Sequence, residues 1–204
     1  MGLGGDEMTI DIILGICLGI GLAASTGFRV FVPLFAMSLA AHFGILPLGE
    51  NWLWLGSMTA LVILGVASLV ESLSYLVPVV DNLLDTIAVP LAGVAGTIVM
   101  ASSLTDLSPA ITWALAIVAG GGAATAVKTT TAATRAVSTA TTAGTANPVI
   151  GLAETGTAIG LSALAIFAPV VAAIVAVVGL VVFIWLMIKL KNKLSSNPDT
   201  AHEH

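Results

Sequence analysis

Long apolar runs divided by short polar breaks set the frame of this chain. Ile10–Thr26 is the first, and Phe28–Leu46 follows with Arg29 near its start and Pro33 inside it. The gap Gly49-Glu50-Asn51 precedes Trp52–Tyr75, and Pro78 separates that run from Val79–Leu104, which carries Asp81, Asp85 and Pro90. Thr105-Asp106 breaks to Pro109–Val127; Val149–Ala168 and, past Pro169, Val170–Ile188 complete the series. A membrane-crossing helix needs about 20 mostly apolar residues. These runs predict an all-α polytopic membrane protein.

One stretch breaks the pattern. Residues 128–147 hold eight threonines, Lys128 and Arg135 between two of the apolar runs. Inside hydrocarbon, polar groups must find partners within the protein, so this stretch is not expected to face lipid. It lines a polar cavity, plugs one, or lies at the membrane edge. Threonine can also donate back to the carbonyl one turn earlier, which lets a threonine-rich helix hide its polarity.

Composition sharpens the membrane reading. Only 8% of the residues are charged, 58% are hydrophobic and the mean hydropathy is +1.10, whereas soluble domains carry about 25% charge. With six Lys plus Arg, three of them at Lys189, Lys191 and Lys193, there is no basic patch for nucleic acid. The same tail cluster places the C-terminus in the cytoplasm by the positive-inside rule, with the cell (inner) membrane as location. No positive region precedes Ile10, so the first run reads as a retained span rather than a signal peptide. Cys17, the single cysteine, lies inside that run and has no internal partner. Trp52, Trp54, Trp113 and Trp185 fall near span ends, as an interfacial belt would. Connections are short, so residues 1–204 form a single membrane domain with a polar tail from 189 onward.

Offsetting the chain by 100 aligns Gly21–Ser25 with Gly121–Thr125, and Ala36, Ser38, Ala40 and Gly44 with Ala136, Ser138, Ala140 and Gly144. Chance matches in an Ala- and Gly-rich chain are the competing account. A duplication with halves 8–104 and 108–190 would give about six crossings plus two re-entrant or broken segments, 28–46 and 128–147, in an inverted repeat, with Pro33 where the turn of the first could lie. Whether the halves close within one chain or in a homo-oligomer stays open.

Ionisable groups inside membrane segments usually face a bundle interior or a water-filled path. Lys128 and Arg135 lie two helical turns apart and, with Thr131 and Thr134 between them, make a cationic, hydroxyl-lined face; Arg29 joins them as a candidate pathway residue. Such a face suits an anion or a phosphate headgroup. Internal pairing with Glu71, Glu154 or Asp85 is the structural alternative. Asp81 and Asp85 share a face if helical; with Glu71 and Glu154 they are candidate proton or counter-ion sites, or simply hydrated or paired carboxylates. Gly120-Gly121-Gly122 serves close helix packing or breaks a helix. No nucleophile elbow, HExxH, Walker A or metal-spaced Cys/His set is present, so no enzyme, metal or cofactor is expected.

Three stretches, 24–44, 70–97 and 128–154, resemble an uncharacterised family of bacterial and plant membrane proteins, the domain-of-unknown-function family 4126. The resemblance implies a small polytopic membrane protein and carries no activity. The expectation from the residues is a small transporter or channel-like permease for an unknown small solute, anionic or phosphate-bearing, lipid headgroups included. Its alternative is a non-transporting structural or accessory protein with an ion-paired polar core.

Overall fold

Helix α1 (Leu3–Phe28) is the post against which α4, α6, α7 and α8 all pack. In this computed structural model, residues 3–75, 78–105 and 107–195 are described, with side chains for 7–75, 87–105, 107–186, 188 and 189. Every element among them is helical. After α1 come α2 (Phe31–His42), a 3-10 turn (Glu50–Gly56), α3 (Met58–Ser74) and α4 (Pro78–Ser103). Then follow α5 (Pro109–Leu115), a π-turn (Ala116–Gly121), α6 (Gly122–Thr142), α7 (Asn147–Phe167) and α8 (Pro169–Ser195).

Four stretches among the described residues are long and apolar enough to cross a membrane: Glu7–Phe28, Pro109–Thr142, Asn147–Phe167 and Pro169–Leu186. A fifth arises if the 3-10 turn and α3, bent by 62°, form one broken span. The architecture is that of a multi-pass membrane protein. Helix α8 shows it most plainly, with Val171, Ile174, Val178, Val182 and Trp185 all exposed. A helix apolar on its outer face belongs in lipid.

Two expected breaks come out differently. Pro33 does not turn the chain: it sits in the first turn of α2, where its missing N–H would be unbonded anyway. The break falls before it, at Arg29-Val30. Residues 128–142 are not a separate segment but continue α6, which with α5 and the π-turn makes one helical run of 34 residues. The threonines explain its persistence. Thr129, Thr134, Thr141 and Thr142 donate to the carbonyls of Thr125, Thr130, Val137 and Ser138 at 2.7–3.0 Å, covering their polarity without leaving the helix. An offset of 100 residues therefore sets α2 against the end of α6, and α3 against a stretch that straddles the α7–α8 break at Ala168.

Glycine lets α4 and the π-turn touch backbone to backbone. A Cβ at Gly96 would stand 2.7 Å from the Gly120 carbonyl oxygen, and one at Gly120 2.6 Å from that of Gly96. Gly120 and Gly121 thus pack closely within the π-turn, and the helix continues past Gly122 without a break. Gly27 of α1 meets Val127 and the Ala124 carbonyl oxygen in the same way, which seats the end of α1 beside Lys128.

Trp52, Trp113, Thr105 and Glu50 line one cavity at the far end of the bundle, and Asp11 borders the same turn. Eighteen residues of α1 separate Asp11 from Arg29, about 27 Å of helix. A hydrocarbon core is about 30 Å thick. The two polar levels of the bundle lie that far apart.

Candidate functional site

At the upper level, five charged side chains and one aromatic ring converge from four parts of the chain. Arg29 leaves the α1–α2 break, Glu71 and Tyr75 the end of α3, Lys128 and Arg135 the inner face of α6, and Glu154 the second turn of α7. Lys128 and Arg135 share that inner face with Ala124, Thr131 and Ser138, all buried. Arg29 and Lys128 are fully buried; Arg135 is 2% and Glu154 5% exposed.

Glu154 ties the two arginines together. Its Oε1 accepts from Arg135 Nε at 3.1 Å and its Oε2 from Arg135 Nη2, a bidentate fork. Arg29 Nη1 lies 3.5 Å from the same Oε2. The rest of the Arg29 guanidinium is held by α7: Nε donates to Thr155 Oγ1 at 2.9 Å and Nη2 to the Gly151 carbonyl at 2.8 Å. Gly151 is bare because a Cβ there would press to 3.3 Å from Arg29 Nη2.

Tyr75, the chain's single tyrosine, is the hub. Its ring centroid lies 3.9 Å from Arg29 Cζ, 4.2 Å from Arg135 Cζ and 4.9 Å from Lys128 Nζ. Lys128 Nζ also donates to its hydroxyl at 3.0 Å. Cations over an aromatic face gain about 2 kcal/mol or more when desolvated, and here three share one ring. The half-buried Glu71 acts on the backbone instead. Its two oxygens accept from Val30 N at 2.7 Å and Phe31 N at 2.9 Å. It thus caps α2 with an anion, where the helix dipole and unbonded amides favour one.

The family described as Domain of unknown function (DUF4126) matches residues 16–189. The chain belongs to this family. The match takes in every residue of the cluster. No curated protein and no solved structure matches the chain.

Two openings reach the cluster in this family member. A groove of about 690 Å³ between α6, α7 and α8 has Glu154, Thr130, Thr131, Thr134 and Thr157 in its wall. A smaller cavity of about 220 Å³ lies against Glu71, Ser74 and Tyr75. Among the described residues no group of His, Cys, Asp and Glu could hold a metal ion.

The structure thus brings together Arg29, Lys128, Arg135, Glu71 and Glu154, with Thr131 and Thr134 beside them on α6. Thr131 Oγ1 donates to the Lys128 carbonyl at 3.0 Å. Asp81 and Asp85 fall in the first turns of α4, but their side chains lie outside the described residues. Tyr75, Gly151 and Thr155 were not anticipated. One signal for Tyr75 was available: it stands four residues after Glu71, on the same helical face.

Proposed function

We propose that this protein is a small membrane transporter whose buried charge cluster is a closed gate for an anionic solute. The observation that carries the reading is Glu154 bridging Arg29 and Arg135 in the wall of a groove. A carboxylate- or phosphate-bearing solute offers these guanidinia the same chemistry as Glu154. It can replace Glu154 without leaving a buried charge unpaired, provided that Glu154 takes a proton or turns to water. Where Glu154 takes the proton, solute entry is coupled to it. Arg29, Lys128 and Arg135, with Thr131 and Thr134, are the pathway residues in this account, and Glu154, Glu71 and the two aspartates of α4 the proton or counter-ion sites.

In topology, the proposal places the cluster near one membrane face and the Trp52–Trp113 level near the other, supported by the 27 Å of α1 between them, about the thickness of a hydrocarbon core. The threonine-rich end of α6 then projects beyond the apolar slab. No internal repeat is invoked.

A second reading has its own support: each guanidinium is already engaged with protein partners, as a structural ion-paired core would be. Proteoliposomes separate the two. With an inward proton gradient, radiolabelled inorganic phosphate and acetate serve as probes. The transport reading expects uptake of one of them by the intact protein, its loss in Arg135→Gln, and uptake indifferent to the gradient in Glu154→Gln. No uptake of either probe, with both variants merely less stable, favours the structural reading.

A further inference from the structure

The groove between α6, α7 and α8 is polar at one end and apolar at the other. At its polar end three of the four threonines have spent their protons on their own helices. Thr131 donates to the Lys128 carbonyl and Thr134 to that of Thr130, each at 3.0 Å, and Thr157 to that of Ala153 at 2.8 Å. What they present to the groove is lone pairs. Glu154 stands beside them, its charge met from behind by the two arginines. This end therefore presents hydrogen-bond acceptors, while the buried arginines lie behind Glu154 rather than in the groove wall.

Ten residues further along α7, about 15 Å of helix, Leu164 faces Val175 and Leu180 of α8 across the same groove. Two glycines keep the trough open between these ends. A Cβ added at Gly160 or at Gly179 would meet nothing within 4 Å, so on both helices the missing side chain is space for something else. The long axis of the trough follows the helices, with its polar end at the level of the charge cluster.

We infer that this groove binds a single-chain, uncharged amphiphile from the bilayer, such as a monoacylglycerol. Its head hydroxyls donate to Thr131, Thr134, Thr157 and the Glu154 edge, and its chain runs past Gly160 and Gly179 to Leu164. While Glu154 holds the two arginines, an anionic head would meet oxygen lone pairs and a carboxylate, and a cationic one a carboxylate already neutralised. A single trough takes a single chain. The site stands whether or not any solute crosses the gate.

Native mass spectrometry of the purified protein tests this with three probes of equal chain length: monolauroylglycerol, laurate and dodecyl phosphate. The intact protein is expected to retain one monolauroylglycerol, at least about tenfold more tightly than dodecyl phosphate. Gly160→Leu and Gly179→Leu, on separate helices, each fill the trough and are expected to weaken that binding about tenfold. Their melting temperatures without lipid should not fall, since leucine favours helix over glycine. Either variant decides the matter if the other fails to fold. Unchanged binding in a folded variant overturns the inference, as does dodecyl phosphate binding as tightly as the glyceride, or no binding at all.

Discussion

Arg135 and Glu154 lie 19 residues apart and meet through both carboxylate oxygens inside the bundle. Their pairing closes the α6–α7 hairpin, and Glu154 extends it to Arg29 of the α1–α2 break. Removing one member of a buried pair leaves the other charged and unpartnered, which costs about 3–5 kcal/mol. Glu154→Gln and Arg135→Gln should each lose that much in denaturant unfolding in detergent. The double variant should lose less than the sum, because the Arg135–Glu154 pair is then removed whole and only Arg29 is left without its carboxylate.

Glu71 caps α2 through two backbone amides, so its deletion should be felt locally. Glu71→Ala is expected to raise hydrogen exchange at Val30 and Phe31 and to cost about 1–2 kcal/mol, the scale of a lost N-cap. Exchange in α8, which makes no contact with Glu71 among those described, should not change. Uniformly faster exchange would mean that Glu71 holds the whole bundle rather than one helix start.

Tyr75 offers a graded test. Tyr75→Phe keeps the ring under the guanidinia and removes only the hydroxyl that Lys128 reaches, at a cost of about 1 kcal/mol. Tyr75→Leu removes the ring as well and should cost several kcal/mol, since three cations lose the ring they share. Equal losses would mean that the ring face contributes nothing.

The crossing of α4 with the π-turn is tight by backbone. Gly120→Ala would drive a methyl to 2.6 Å from the Gly96 carbonyl oxygen, and overpacking of this kind costs about 1–3 kcal/mol. Gly122→Ala, where a Cβ meets nothing within 4 Å, should be neutral or stabilising. Thermal unfolding of the two variants checks the contrast.

The apolar runs were legible because hydrocarbon solvent enforces helix almost regardless of sequence. The shared face of Lys128 and Arg135 was legible too, since helical spacing alone places them together. What escaped was anything set by tertiary contact. Nothing local marks Gly151 as the carbonyl under Arg29. Pro33 looked like a turn, yet in a first helical turn it fits without strain, and Glu71 from another helix defines where α2 begins. The threonine run was read as a segment of its own. Back-bonding to preceding carbonyls instead let α6 pass straight through it.

The central claim is that the paired cluster opens to water, and a thiol at Thr131 reports on it most directly. Thr131 is 6% exposed, close to cysteine in size, and adjoins both Lys128 and the groove. In a Cys17→Ala background, Thr131→Cys should react slowly with a membrane-impermeant thiol reagent from one side. It should react faster once Glu154→Gln releases the arginines. Complete protection from both sides, with and without Glu154→Gln, would contradict the gate and leave a dry, structural core.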